Sequence, residues 1–266
     1  MNLRVLWTLG LLLLPIPSTA SIEVAIQNFA YTGGYRVPTY RFDTLGNAVD
    51  AHDGGMYYFN NTYYLYGTSY NCGYQWQHGG PWCGFKVYSS LDLTHWQDQG
   101  LLFDPSSAEW QNRCTNGSFG CFRPHVLYNA RTQQYILWIN TINRDTPQNY
   151  RVFTSSSPTG PFSELDLPTL AFGRGGPQGT SFSVNNGDFN LFLDDDGVTA
   201  YIVYAYWGGS SDGGHIVVEQ LNDSFTSGFI DNPRAAWLNT SGTEAPSMFK
   251  NNGIYYVKSS PNSSVN

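Results

Sequence analysis

Three acidic residues lie just upstream of three copies of one recurring strand pattern. They are Asp53, Asp188 and Glu244, and a further acid, Asp50, lies close before Asp53. Carboxyl groups that meet at one site can divide the work of a general acid and a general base between them. The chemistry therefore depends on whether the recurring strands bring these groups together.

The recurring pattern is a polar turn followed by a strand with alternating aromatic residues. Its four copies begin at Asn60, Thr132, Asp195 and Asn251. Near-copies of this kind predict a repeat architecture, and their spacing is longer than a common propeller blade of about 40 to 50 residues, which predicts long loops. If the repeats close radially, the polar groups upstream of the turns converge on one channel.

The composition favours a single all-β domain. Of the 266 residues, 41% are hydrophobic and 16% are aromatic, and no segment after Leu14 has a convincing helical period. Short alternating strands separated by Gly, Asn, Asp and Pro are typical of all-β folds. The formal net charge of -7 and the lack of a basic run argue against a nucleic acid partner, because binding to phosphates depends on Lys and Arg.

The first twenty residues have the pattern of a secretory signal. Arg4 is followed by the apolar stretch Val5–Leu14 and by small residues that end at Ala20. The apolar stretch is shorter than the ~20 residues of a membrane-spanning helix, and no later segment could span a bilayer. We expect cleavage after Ala20 and a secreted, extracellular, monomeric domain at residues 21–266.

The cysteines and glycosylation sequons agree with secretion. Cys72 and Cys83 flank one insertion, and Cys114 and Cys121 flank a shorter loop. An even cysteine number in a secreted chain favours disulfides, and local pairing predicts Cys72–Cys83 and Cys114–Cys121. A zinc site is disfavoured because no CxxC spacing occurs. Sequons that predict a glycoprotein occur at Asn60, Asn116, Asn222, Asn239 and Asn262.

Four segments resemble the family 43 glycoside hydrolases, and among them the branch that contains galactan 1,3-β-galactosidases. They are NAVDAHDGG at 47–55, RPHVLYN at 123–129, DFNLFLDDDG at 188–197 and EAPSM at 244–248. The resemblance extends from Asn47 to the C-terminus and implies a five-bladed β-propeller. Because few residues follow the fourth aromatic strand, we expect an incomplete propeller with about four blades, the fifth being largely removed by C-terminal truncation. The alternative is that the N-terminal segment 21–43 covers part of the gap.

The resemblance also implies an activity and roles for the acids. It implies exo-acting, inverting hydrolysis of O-glycosidic bonds in plant or fungal cell-wall polysaccharide, with Glu244 as general acid and Asp188 orienting it and raising its pKa. Inversion needs two carboxyl groups ~6.5–9.5 Å apart, a separation that different blades facing one channel can supply. By its distance to the Tyr63 strand, Asp53 matches the position of the family's base, so the resemblance favours it, although the galactanase-like branch usually has Gly there and an amide-type residue at the place of Asp50. Asp50 is the alternative, and the acid that is not the base would hold sugar hydroxyls or the first turn.

Further side chains are candidates for binding the sugar. His52, Arg123 and His125 could hold hydroxyls, although pairing inside a channel is an equally good explanation, and Trp82 and Trp207 could stack on sugar rings or pack within blades. No cofactor is expected, with a calcium ion held by His52 in the channel as the alternative. The acidic segment 194–197 is predicted to be a hairpin turn and not a calcium loop, because the spaced ligands are missing.

Two other functions stay open at this point. One is a related glycosidase with arabinofuranosidase or xylosidase specificity, and the other is a carbohydrate-binding propeller without turnover. The presence of Asp53, Asp188 and Glu244 together favours an enzyme. The sequence leaves open the sugar and its linkage, because these depend on the shape of the loops.

Overall fold

The structure is a computed structural model, and it describes residues 41–70, 82–115, 121–141, 150–172, 186–206, 214–238, 240 and 242–261. Within these residues the chain forms four antiparallel sheets and one short helix, α1 (Gln111–Thr115). The predicted signal segment lies outside the described residues. Among the residues described, no helix is long and apolar enough to cross a membrane.

The first two sheets are four-stranded meanders whose strands follow one another in chain order. The strands of the first sheet are β1 (Met56–Phe59), β2 (Thr62–Tyr70), β3 (Trp82–Ser90) and β4 (Gln97–Leu101). Those of the second sheet are β5 (Phe122–Asn129), β6 (Gln134–Asn140), β7 (Tyr150–Ser155) and β8 (Ser163–Glu164).

The third sheet repeats this meander, and the fourth contains two strands in the part of the chain that the structure describes. The strands of the third sheet are β9 (Asn186–Leu193), β10 (Ala200–Tyr206), β11 (His215–Gln220) and β12 (Ala235–Leu238). Those of the fourth are β13 (Thr243–Asn251) and β14 (Ile254–Pro261).

Successive sheets pack against each other in chain order. Strand β5 contacts β2 of the preceding sheet and β9 of the following one, and β9 in turn contacts β13. Meandering sheets arranged in sequence with their first strands adjacent are the blades of a β-propeller. The predicted all-β fold and its blade-like repeats are confirmed.

The recurring polar segments form the hairpins that join the first two strands of a blade. Asn60 and Asn61 have φ values of 48° and 62°, and Asn252 and Gly253 have values of 49° and 77°. Two consecutive residues with positive φ form the type I′ turn that suits the twist of adjacent antiparallel strands, and Asn and Gly adopt it at little cost. This turn accounts for the polar pairs of the first and fourth copies. In the second and third copies a single residue of the hairpin, Gln133 or Gly197, has a positive φ.

Aromatic and aliphatic side chains fill the spaces between neighbouring blades. Tyr66, Phe85 and Leu137 pack between the first and second sheets, while Trp138 and Tyr204 pack between the second and third. A smaller cluster joins the third sheet to the fourth.

The disulfide Cys114–Cys121 closes the loop after α1, as predicted. Cys72 lies outside the described residues, so the pairing Cys72–Cys83 stays a prediction.

Each blade has the same irregularity at the start of its first strand. In the third sheet, Asn186 pairs with Tyr206 and Phe189 with Tyr204, so that two residues lie opposite the single residue Ala205. Equivalent register shifts occur in the second and fourth sheets, and the bridge between His52 and Thr68 produces a similar offset in the first. The residues with positive φ at these bulges are Asp53, Arg123 and Ala245.

Candidate active site

The bulges of the second and third blades place Arg123 against Asp188. Arg123 donates from Nε to Oδ1 of Asp188 at 2.7 Å and from Nη2 to Oδ2 at 2.7 Å. Two parallel charge-assisted hydrogen bonds fix both the position and the plane of the carboxylate. The two side chains are 23% and 29% exposed, so the pair lies at an accessible surface rather than inside the core.

Glu244, at the start of β13, belongs to the same group of charges. Its pKa is raised above the ordinary value, first by burial and then by the negative charge of Asp188, while Arg123 opposes the increase. A raised pKa keeps the carboxyl protonated to a higher pH, as a general acid requires. The structure therefore brings Glu244, Asp188 and Arg123 together from three consecutive blades.

His125 lies beneath this group and not on its surface. Its side chain is buried, its Nδ1 is 2.6 Å from the hydroxyl of Tyr57, and it also hydrogen-bonds the backbone of Phe189. Burial, reinforced by the charge of Arg123, lowers the pKa of His125 to about 3, so the ring is neutral. A Cβ on Gly55 would lie 2.7 Å from that same Nδ1. The buried ring favours pairing inside the channel, the alternative considered from the sequence, over a contact with sugar hydroxyls.

Asp50 is also buried, and its oxygens are engaged by the protein. Its side chain accepts hydrogen bonds from the Ser69 hydroxyl at 2.5 Å and the Tyr70 amide at 3.3 Å, and it contacts Nε2 of His52 at 3.1 Å. With 2% of its surface exposed, Asp50 has little room for a water molecule. These contacts orient the partly exposed His52 and fasten the segment before β1 to the end of β2.

Asp53 differs from Asp50 in its surroundings. It has a φ of 58°, it is partly exposed, and it accepts a hydrogen bond from the Tyr70 hydroxyl at 3.3 Å. The backbone turns here because Gly54 lies against Tyr66, whose carbonyl oxygen would be 1.9 Å from an added Cβ. Of the two first-blade acids, Asp53 is the one that solvent can reach.

Two tryptophans, Trp82 and Trp207, were considered for stacking on sugar rings or for packing within blades, and the structure describes the first of them. Trp82 begins β3, is 3% exposed, and packs against Phe85 and Trp110 with ring centroids 5.4 and 6.3 Å away. Core side chains cover the ring of Trp82, which favours packing within the blade, the alternative considered from the sequence, over stacking on sugar rings. Trp207 lies outside the described residues, and its role stays a prediction.

No group of three or more His, Cys, Asp or Glu within the described ranges is arranged to hold a metal ion. The segment 194–197 forms the turn between β9 and β10, where the Asp194 amide donates to the Thr199 carbonyl. Asp194 instead forms ion pairs and hydrogen bonds with Lys250 and Tyr255 of the fourth blade. The calcium ion considered for His52 stays a prediction.

Sequence reasoning missed the buried acid Glu219 in β11. Its carboxyl accepts hydrogen bonds from the Ala171 amide and from the Tyr204 hydroxyl, each at 2.9 Å. Burial raises its pKa to about 7, although both hydrogen bonds oppose the increase. The alternation with Val217, which faces the core, is the signal that could have identified it.

The comparisons with known proteins agree with this geometry. The model for "Glycosyl hydrolases family 43" matches residues 47–264. The chain belongs to this family. This match confirms the resemblance predicted from the four sequence segments and with it the propeller fold.

Among solved structures, an exo-β-1,3-galactanase from Clostridium thermocellum is 27% identical, with a TM-score of 0.65 over 84% of this chain and 45% of that chain. An exo-β-1,3-galactanase from Phanerochaete chrysosporium with galactose is 22% identical, with a TM-score of 0.65 over 85% of this chain and 47% of that one. A β-D-galactofuranosidase of Aspergillus niger is 27% identical over 203 residues, 74% of this chain and 52% of the relative. The family 43 chain thus spans about half the length of these proteins.

Proposed function

We propose that this family 43 chain is part of a secreted, exo-acting glycosidase that releases galactose from β-1,3-linked galactan with inversion. The observation that carries the proposal is the placement of Glu244 beside an Asp188 carboxylate clamped by Arg123. A carboxyl group with a raised pKa, next to a fixed negative charge and at an accessible surface, suits protonation of a departing sugar oxygen.

In this mechanism the proton of Glu244 moves to the glycosidic oxygen as the bond to the anomeric carbon breaks. Asp53 accepts a proton from a water molecule, whose oxygen forms the new bond on the opposite face of the sugar. Burial and then the charge of Asp188 raise the pKa of Glu244, and Arg123 keeps Asp188 in place. Asp50 takes no direct part, because its oxygens are engaged by Ser69, Tyr70 and His52.

The substrate assignment is supported by the Clostridium thermocellum exo-β-1,3-galactanase. A second candidate is hydrolysis of β-D-galactofuranosides, which the curated relative from Aspergillus niger favours. Both would release galactose, in its six-membered or its five-membered ring form, so the difference concerns the shape of the pocket and not the roles of the acids.

The signal-like pattern up to Ala20 supports secretion. Determining the N-terminal residue of the exported protein would test this proposal.

The test is hydrolysis of β-1,3-galactan and of nitrophenyl β-galactopyranoside, β-galactofuranoside, α-arabinofuranoside and β-xyloside by the purified protein. We expect the galactan to yield galactose whose first-formed anomer, observed by proton NMR, has the α configuration. A β anomer as the first product would contradict the role of Asp53, since retention requires a covalent intermediate. Millimolar or tighter oligosaccharide binding without hydrolysis would instead support the carbohydrate-binding propeller without turnover.

A further inference from the structure

Two buried side chains of the second blade donate to one backbone carbonyl of the third. Nδ2 of Asn140 lies 2.7 Å from the Gly187 oxygen, and the Tyr150 hydroxyl lies 2.8 Å from the same atom. Asn140 and Tyr150 are directly opposite each other on β6 and β7, and they are 1% and 0% exposed. A carbonyl oxygen has two lone pairs, so these two donors together can fill both.

This carbonyl belongs to the residue that precedes Asp188. Gly187 and Asp188 are the two bulge residues that lie opposite Ala205, and a bulge interrupts the regular ladder of the sheet. The peptide plane between them sets the direction in which the Asp188 side chain leaves the backbone. Fixing the Gly187 carbonyl therefore restricts the same residue whose carboxylate Arg123 clamps.

We propose that Asn140 and Tyr150 are positioning residues for Asp188. They hold the bulge of the third blade in the orientation in which the Asp188 carboxylate pairs with Arg123 and its charge acts on Glu244. They do so without touching the substrate. The inference rests on the proposed function of Glu244 as general acid. Tyr150 also lies close enough to Asp188 and Arg123 for their charges to act on its hydroxyl.

A purely structural role makes a different prediction. If the two donors only satisfied a buried carbonyl, loss of one would lower stability and leave the acid unaffected, because the other bond would remain. If they position Asp188, loss of one also changes the charge that Glu244 experiences. The distinguishing quantity is therefore the titration of Glu244 and not the melting temperature.

The test is Tyr150→Phe, with Tyr66→Phe as the matched control. Tyr66 is equally buried, and its hydroxyl also donates to a carbonyl, that of Pro158, at 2.7 Å. For Tyr150→Phe we expect kcat to fall by roughly 3- to 10-fold with KM changed by less than about 2-fold, as when a catalytic group is slightly misplaced. The basic limb of the pH profile, and the Glu244 carboxyl titration by carbon NMR, should move down by about 0.3 pH units. Tyr66→Phe should change neither.

Equal behaviour of the two variants in kcat and in the Glu244 titration would overturn the positioning role. A Glu244 shift in Tyr150→Phe alone supports it, even if the protein hydrolyses no glycoside. Failure of the proposed function is recognised separately, by the absence of wild-type activity on every substrate tested. The carbon NMR titration thus decides the inference in either case.

Discussion

Replacing Glu219 by Gln should change how the stability of the protein depends on pH. Glu219 is fully buried in β11, and burial raises its pKa from 4.5 to about 7. A carboxyl whose pKa is raised by folding binds more protons in the native state than in the unfolded state between these two values. The free energy of unfolding must therefore fall as pH rises through this interval.

The size of the effect follows from the displacement of the pKa. The displacement is about 2.5 pH units, and each unit corresponds to about 1.4 kcal/mol, so ionisation of Glu219 costs about 3 kcal/mol at alkaline pH. A Gln side chain removes this cost and can keep the local hydrogen bonds. Its oxygen can accept from the Ala171 amide, and the Tyr204 hydroxyl can accept from its amide while donating to the Phe172 carbonyl, now 3.4 Å away.

The assay is urea unfolding of wild type and Glu219→Gln at about pH 4 and about pH 8. We expect similar stabilities at the lower pH and an advantage of up to about 3 kcal/mol for the variant at the higher pH. Glu109→Gln is the control, because Glu109 is exposed, and it should follow the wild type at both values. An equal difference between Glu219→Gln and wild type at both pH values would refute the reasoning.

Three further substitutions test the roles proposed for the site. Glu244→Gln should abolish hydrolysis of galactan while keeping its binding, and nitrophenyl substrates, whose leaving groups need little protonation, should retain the most activity; equal losses on both would argue against a general acid. Asp53→Asn should lower kcat by at least about 100-fold regardless of leaving group, whereas unchanged turnover would remove Asp53 as the base. Arg123→Met should shift the basic limb of the pH profile upward, since Arg123 opposes the raised pKa of Glu244; a profile identical to wild type would contradict this coupling.

Much of the fold could be predicted because its signals are local. A polar turn such as Asn60-Asn61 and the alternating strand after it form one short contiguous stretch of sequence, and its four copies show that the fold is a repeat. The grouping of Asp188 with Glu244 followed from the same repetition and the family resemblance. These features depend on the order of elements and not on fine geometry.

The roles of individual polar residues were harder to predict because burial is a tertiary property. Asp50 and Asp53 are close in sequence, but the bulge beside Gly54 leaves one engaged inside the blade and the other partly exposed. The sequence around His125 does not distinguish a buried histidine from one that binds a ligand at the surface. Only the contact with Tyr57 in the structure shows that the ring is buried. For Trp82 the sequence left stacking on a sugar and packing within a blade equally open, and only the structure shows that it begins a core strand.

The bulge that the blades share separates the choice of a reactive side chain from the packing of the strand, which a regular strand would couple. In an uninterrupted strand each side chain alternates between the two faces, so a change in chemistry at one position disturbs the packing of its neighbours. At the bulge, the positions with positive φ carry a carboxylate in Asp53, a guanidinium in Arg123 and a methyl group in Ala245, on similar backbones. The reactive end of each blade can thus carry different side chains while the strands behind it stay unchanged. Because Asp53 is the proposed base and Arg123 clamps Asp188, Ala245 is the position of the three at which a redesign of specificity can introduce diversity.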